Sequence, residues 1–363
     1  MKRTLISMVV FVLVYLLCSV TLVQAQKQVV VADYGGAWGD ALRKVYYDPF
    51  TKETGIKVIQ QSPPLLAKLR AMVETGNVEW DLYESGDPER IVLERLGYIE
   101  KLEYSSIDKE TLSGFEDYQK KPFGIYFMGY STAIAYSKDA FPGGGPKTWA
   151  DVWDVKKFPG PRCLHSGGGG WGMIEEALLA EGRPFNKIYP LTRADWDRAF
   201  KKFGEINPHV VKWWRAGEEP GRLLVDKEVT VVNSYSGRIA NLIAQGANLA
   251  IEYNQGNITF EMFLIPKGTK NFDAAMKLYA FILRADRQAA MSNLYPNGAV
   301  NKHAYKHISP QKAKELPTSP ENMKIQFVRD GDYWGAIDPK TGKSNQELSK
   351  EIWTDWALKL NVK

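Results

Sequence analysis

The sequence predicts an α/β protein with two lobes, on three observations. Residues 29–58 follow the order strand, glycine turn, amphipathic helix and second strand. Residues 80–84 form another apolar strand, after which Pro88 fits the first turn of a helix. Strands that alternate with helices are typical of a parallel sheet. The chain also has 363 residues, which exceeds the usual size of one hydrophobic core and favours two lobes.

Composition argues against two classes of protein. Hydrophobic residues make up 44% of the chain and charged residues 25%, so we expect a packed globular protein and not a disordered one. The formal charge is +5, but the Lys and Arg residues are scattered and do not cluster with aromatic residues. The charge pattern therefore predicts no nucleic-acid partner.

Residues 1–25 are expected to be a signal peptide. Lys2 and Arg3 precede an apolar run at 8–22, which is shorter than a membrane span of roughly 20 residues. The run ends in Val-Gln-Ala25, and small residues at the last and third-last positions are what signal peptidase requires. We therefore expect the mature chain to begin near Gln26.

The two cysteines carry little functional information. Cys18 would suggest a lipoprotein, but Leu17 stands where a lipidation site needs a small residue. Removal of the signal peptide would leave Cys163 as the single cysteine. No disulfide within the chain is therefore expected.

The glycine turn at 34–38 is a candidate ligand loop. It follows the first strand directly, and open α/β sheets bind their ligands beyond the carboxyl ends of the strands. The apolar helix that follows ends at Gly55, where a C-cap glycine belongs. Trp38 is the candidate binding residue of this loop. The alternative is a plain turn whose aromatic side chains belong to the core.

Asp87 has two possible roles. It precedes Pro88, so it could be the N-cap of a helix that continues to Leu96. Because it also follows a strand, it could instead lie in a cleft and bind a ligand.

Two further stretches bear on function. Residues 122–136 are apolar and aromatic without a helical period, which predicts a long buried strand. Residues 167–172 carry five glycines around Trp171 and precede a predicted helix. Free amides before a helix can bind an anion, and a flexible loop is the alternative.

Catalytic motifs are missing from the sequence. It contains no G-x-S-x-G, HExxH or CxxC pattern. His303 and His307 have the i, i+4 spacing of two metal ligands on one α-helix, but no carboxylate or cysteine set stands near them. A triad that includes His165 and Ser166 has no specific support. A binding protein is the leading hypothesis, and a secreted enzyme remains an alternative.

Several segments carry a resemblance to one family. GGAWGDALRKVYYDPFTKETGIKV, at 35–58, resembles the first βαβ unit of the periplasmic solute-binding proteins of ABC importers, in the spermidine/putrescine-like group. The segment KTWADVW at 147–153 resembles the start of their second lobe, and 254–266 resembles their second crossing between lobes. Residues 273–285 resemble one of their helices.

The resemblance implies a type II-like periplasmic-binding-protein fold with two interdomain crossings. Lobe 1 would comprise 27–133 with 262–305, and lobe 2 would comprise 134–261 with 306–363. The protein would be a periplasmic monomer that binds a small molecule and partners the permease subunits of an ABC transporter, without cofactor or metal. Ferric-ion binding, which uses paired tyrosines in related proteins, is an alternative.

The resemblance also implies a binding site. Tyr130 and Ser131 fall where the first crossing faces the cleft, Tyr235 takes the place of a usual tryptophan, and Glu261 falls where polyamine-binding proteins have an acid. Two other acids of that pattern are replaced by glycines, and Arg238 and Arg215 could pair with a carboxylate. The ligand would then be a small amine or zwitterion. The complete candidate set is Trp38, Asp87, Tyr130, Ser131, Trp171, Arg215, Tyr235, Arg238 and Glu261.

Overall fold

The computed structural model describes residues 27–169, 172–360 and 362; the predicted signal peptide and Trp171 lie outside the described residues. In this part of the chain the strands are β1 (Gln28–Ala32), β2 (Lys57–Gln61), β3 (Leu82–Gly86), β4 (Ile99–Glu100), β5 (Lys120–Lys121), β6 (Gly124–Ser137), β7 (Arg162–His165), β8 (Val210–Trp214), β9 (Val231–Tyr235), β10 (Leu249–Pro266), β11 (Gly298–Ala299) and β12 (Phe327–Val328).

The α-helices lie between the strands, singly or in succession. They cover Gly36–Leu42, Asp48–Thr54, Leu66–Thr75, Asp87–Leu96, Lys109–Ser113, Trp149–Trp153, Ile174–Ala180, Arg193–Ile206, Glu219–Val225, Ser236–Ala244, Phe272–Leu283, Ala285–Leu294, Pro310–Lys314, Pro320–Met323, Gly331–Gly335 and Asn345–Lys359. A π-helical turn, Arg43–Tyr47, joins the first two. Among these described helices, none has the length and apolar character needed to cross a membrane.

Two long strands join two parallel groups of strands. The main sheet has the order β2-β1-β3-β10-β6-β9-β7-β8. On one side β1 pairs in parallel with β2 and β3, and on the other β7 pairs in parallel with β8 and β9. Between them β10 and β6 run antiparallel to each other and to their neighbours. We call the β1–β3 side the first lobe and the β7–β9 side the second lobe.

The two long strands are the crossings predicted from the sequence. β6 contains 14 residues and β10 contains 18, so each extends through both lobes. Their register is interrupted between Glu252 and Asn257. Within this bulge Gln255 has φ 61°, and its carbonyl accepts the indole N–H of Trp149 at 2.8 Å. Trp149 thus fixes the bulge.

Each lobe has its own hydrophobic core. The core of the first lobe contains β1, β3 and the helix Phe272–Leu283, together with the parts of β6 and β10 that lie beside them. The core of the second lobe is rich in tryptophan, with Trp149, Trp196, Trp213, Trp334 and Trp353 in one cluster. The exact lobe boundaries derived from the resemblance stay a prediction.

Two local expectations are wrong. Gly86, and not Asp87, stands at the N-cap of the helix Asp87–Leu96, because β3 extends to Gly86 and Asp87 already has helical geometry. The segment Lys302–His307 is a 3₁₀ helix and not an α-helix. Side chains align at i and i+3 in a 3₁₀ helix, so His303 and His307 do not share a face as the metal-site alternative required.

Candidate functional site

A cavity of about 690 Å³ lies between the lobes. This volume falls within the roughly 300–1,000 Å³ that is usual for small-molecule sites. The first lobe contributes the glycine loop 34–38, the start of the helix Asp87–Leu96, and Glu261 of β10. The second lobe contributes Tyr235 and Arg238. The cavity therefore contains the carboxyl ends of β1, β3 and β9, as expected for an α/β ligand site.

The glycine loop is held by a buried carboxylate. Asp33 accepts hydrogen bonds from the amide of Gly35 at 2.9 Å, the hydroxyl of Ser62 at 2.9 Å and the hydroxyl of Tyr47 at 3.0 Å. Gly35 has φ 68° and Gly36 has φ 59°, backbone angles that residues other than glycine rarely adopt. These contacts explain why the chain turns sharply here and presents the loop to the cavity.

Trp38 lines the cavity but is largely buried. Its indole N–H donates to Glu84 at 2.8 Å, and its ring meets Tyr295 edge to face at 5.4 Å. Glu84 also accepts the amide N–H of Tyr34 at 3.2 Å, so this buried carboxylate supports both ends of the loop. Tyr34 has half of its surface exposed and lines the same cavity.

Glu261 presents a buried carboxylate to the cavity. The residue is 6% exposed, and its Oε2 atom has no hydrogen-bond partner among the described residues. It pairs across the sheet with Gly86, whose lack of a side chain leaves the carboxylate uncovered on that side. Burial raises the pKa of Glu261 to about 8, and the negative charge of Glu89 adds to this rise. An unpaired carboxylate in such a place is costly unless a cation meets it.

Glu89 is a cavity residue that the sequence analysis missed. It lies in the first turn of the helix Asp87–Leu96, where an acid is expected simply to complement the helix dipole. Its Oε2 atom accepts the hydroxyls of Tyr83 at 2.8 Å and Ser85 at 3.0 Å. Burial raises the pKa of Glu89 as well. The sequence signal was an acid one turn beyond a strand end.

Aromatic rings lie beside these acids. Tyr130 of β6 and Tyr235 of β9 meet edge to face at 5.3 Å, and both line the cavity. Trp214 supports Tyr235 from behind, with ring centres 5.2 Å apart. The pair therefore brings together two residues that the resemblance implied separately.

Arg238 lies at the rim of the cavity, close to the start of the helix Ser236–Ala244. Its guanidinium is 3.6 Å from the carboxylate of Glu218, and nearly half of its side chain is exposed. Gln346, from the start of the C-terminal helix, also lines the cavity and had no sequence signal.

Three predicted residues are placed elsewhere. Asp87 binds Arg90 at 2.7 Å and Tyr126, and does not line the cavity. Ser131 is fully buried and donates to Gln326 at 2.6 Å. Arg215 is exposed beside the loop at 167–169 and outside the cavity lining. Each was assigned from position along the chain, which does not determine where a side chain points.

The described residues contain no group of three His, Cys, Asp or Glu side chains arranged to hold a metal ion. Cys163 is buried and unpaired, and burial raises the pKa of its thiol to about 12.

A family model for the bacterial extracellular solute-binding proteins matches residues 46–318. The chain belongs to this family. The gamma-aminobutyric acid-binding protein of Pseudomonas aeruginosa is 31% identical to it over 315 residues, which cover 86% of this chain and 88% of that protein. The spermidine/putrescine-binding periplasmic protein of Escherichia coli K12 is 25% identical and covers 83% of this chain and 85% of its own length.

Solved structures agree with this membership. The crystal structure of an ABC transporter from Rhodopseudomonas palustris CGA009 is 36% identical, has a TM-score of 0.79, and covers 91% of this chain and 99% of its own. The two-lobed fold that the resemblance implied is confirmed for this solute-binding protein.

Proposed function

We propose that this solute-binding protein carries a small amine with a carboxylate group, of the ω-amino-acid class, to an ABC importer in the periplasm. One observation carries the proposal. Glu261 lines the cavity with a buried carboxylate whose Oε2 atom has no hydrogen-bond partner among the described residues, and Glu89 lines the same cavity. A ligand ammonium would supply the missing partner and the missing charge.

The aromatic wall supports the same ligand class. Tyr130 and Tyr235 present flat rings beside the acids, and such rings attract a cation and cover a methylene chain. Arg238 lies in the opposite lobe. Among the described residues that line the cavity it is the only Lys or Arg, so it is the candidate partner of a ligand carboxylate. A zwitterion with separated charges would therefore span the two lobes and favour their closure.

The similarity to a gamma-aminobutyric acid-binding protein points the same way. The second candidate is a polyamine, favoured by the acids of the first lobe and by the similarity to a spermidine/putrescine-binding protein. Arg238 favours the zwitterion over a polyamine by repelling a second ammonium, and Glu218, which lines the cavity 3.6 Å from Arg238, offsets part of that repulsion.

A thermal-shift panel tests the proposal. The purified protein would be heated with 4-aminobutyrate, other amino acids, putrescine, spermidine and simple carboxylates, while mass spectrometry identifies any molecule that co-purifies. We expect ω-amino acids to raise the melting temperature most. Strong stabilisation by spermidine alone, unchanged in Glu261→Gln, would overturn the proposal.

A further inference from the structure

Among the described residues, the acid side of the cavity contains the carboxylates of Glu89 and Glu261 and no cation. Glu89 and Glu261 both line it, and neither forms an ion pair with any Lys or Arg of the described residues. The guanidinium nearest along the chain, Arg90, is already bound by Asp87, Glu94 and Asp332 at 2.7, 2.5 and 3.2 Å. Both carboxylates therefore remain available to a ligand.

The hydrogen bonds of the two acids leave acceptors on the cavity side. Tyr83 and Ser85 both donate to the Oε2 atom of Glu89, which fixes the side chain and leaves Oε1 without a hydrogen bond from the described residues. Oε2 of Glu261 is buried and has no hydrogen-bond partner in the described part of the chain. Gly86 pairs with Glu261 across the sheet, and a Cβ atom there would lie 3.7 Å from Oε2 of Glu261, so the glycine leaves room beside this carboxylate.

Two separate acceptors require the ligand to supply N–H donors as well as a positive charge. A quaternary ammonium has no N–H and is recognised by aromatic faces alone. A primary ammonium has three N–H donors and can satisfy two carboxylates at once. A ligand with too few N–H groups leaves a buried acceptor without a donor, which costs binding free energy. A site of this kind therefore selects ligands by the number of N–H groups on their ammonium.

We infer that Glu89 and Glu261 act as a pair that selects a primary ammonium over its N-methylated forms. Glu89 is then a specificity-determining residue of the cavity, fixed by Tyr83 and Ser85. This inference rests on the proposed function, because it specifies the amine end of the same ligand. It concerns only the amine end of the ligand and not the carboxylate end, which would lie near Arg238.

The test compares 4-aminobutyrate with its N-methyl, N,N-dimethyl and N,N,N-trimethyl derivatives by isothermal titration calorimetry. Wild-type protein should lose affinity at each methylation, with a total of about 100-fold or more for the trimethyl compound. Glu89→Gln should weaken 4-aminobutyrate by about tenfold or more and the trimethyl compound much less, because only the first ligand uses both acceptors.

Glu110→Gln is the matched control, because Glu110 also lies in the first turn of a helix but is exposed on the surface. It should leave the whole series unchanged. Equal losses for all four ligands in Glu89→Gln would mean that Glu89 acts through charge alone and would overturn the inference. So would a trimethyl affinity within about threefold of that of 4-aminobutyrate, a comparison that needs no variant.

Different results would overturn the proposed function and the selectivity of the Glu89–Glu261 pair. If no amine of the series binds to the folded wild-type protein, the proposed function fails and the inference fails with it. If the amines bind without regard to methylation, the proposed function stands and the inference alone is wrong.

Discussion

The carboxylate of Glu84 accepts the indole N–H of Trp38 at 2.8 Å, between residues 46 positions apart. Both residues are buried, and the second oxygen of Glu84 accepts the amide N–H of Tyr34 at 3.2 Å. Burial raises the pKa of Glu84 well above its usual value. The end of β3 thus holds the glycine loop that forms one wall of the cavity.

The first prediction concerns Trp38. Trp38→Ala should weaken ligand binding by about tenfold or more, since it removes an aromatic wall worth roughly 1–3 kcal/mol and the support of the loop. It should also lower the free energy of unfolding by about 3–5 kcal/mol, as for other large aromatic truncations. Titration calorimetry and urea unfolding measure the two effects.

Trp38→Phe separates the ring from its hydrogen bond. It keeps an aromatic surface but leaves an oxygen of Glu84 without its donor, which should cost about 1–3 kcal/mol of stability. If the affinity of Trp38→Ala equals that of the wild type, Trp38 belongs to the structural support and the cavity wall is formed by Tyr34, Tyr130 and Tyr235.

The order of strands and helices could be predicted because it depends on local sequence. Residues 122–136 have the apolar character of a strand buried on both faces, and β6 occupies Gly124–Ser137. The helix limits were displaced by a few residues, as at Asp87, because capping depends on where the preceding strand ends. The pairing of β6 with β10 could not be derived from local pattern, since the sequence of one strand does not identify a partner strand that is distant in the chain.

The second prediction is a pH dependence that follows from Glu261. Its pKa is raised from 4.5 to about 8 in the unliganded protein, so the side chain is neutral at pH 7. An ammonium favours the ionised form, and its binding should therefore release a proton. Affinity for 4-aminobutyrate should rise by about tenfold per pH unit up to about pH 8 and then level off. Calorimetry in buffers of different ionisation enthalpy measures both quantities.

The raised pKa of Glu261 also predicts how the free energy of unfolding changes with pH. Between pH 4.5 and about 8 the unfolded chain ionises this carboxyl and the folded chain does not, so the unfolded state binds fewer protons. The contribution of Glu261 to the free energy of unfolding should therefore fall as pH rises through this window, by a few kcal/mol at most. Glu261→Gln should lack both the stability slope and the affinity slope. A wild-type affinity that is constant from pH 6 to 8 would contradict this prediction.

The third prediction concerns Arg238. Arg238→Met should weaken 4-aminobutyrate by about five- to tenfold, because the carboxylate loses a charged donor at a partly exposed site. Putrescine should bind at least as well as before, because a positive charge is removed near its second ammonium. Thermal shift and calorimetry with the two ligands measure the difference.

Arg222→Met is the control for Arg238. Arg222 is also partly exposed and pairs with a carboxylate, Asp226 at 2.9 Å, but it does not line the cavity. It should leave both ligands unaffected. Equal weakening of 4-aminobutyrate and putrescine in Arg238→Met would show that Arg238 supports the fold of the rim and does not read a carboxylate.

The binding site was only partly predictable, for a physical reason. Tyr130, Tyr235, Arg238 and Glu261 were implied by resemblance and lie together on the cavity. Glu89 was missed because an acid in the first turn of a helix is usually explained by the helix dipole. Only the position of that helix beside β10 places Glu89 on the cavity lining.

The fourth prediction concerns a buried charge cluster in the second lobe. The guanidinium of Arg329 lies 3.4 Å from Glu175 and 3.9 Å from Glu176, and both acids are completely buried. Arg329→Met would leave two buried carboxylates without this cation and should lower the free energy of unfolding by about 3–5 kcal/mol at pH 7.5. The loss should shrink at pH 5, because burial and the charge of Glu175 raise the pKa of Glu176 and favour its neutral form.

Urea unfolding at the two pH values measures this loss. Lys343→Met is the control, since that lysine forms an exposed pair with Glu351 worth less than about 1 kcal/mol. A loss no larger than that of the control, or one that does not change with pH, would show that the acids find other partners when the arginine is removed.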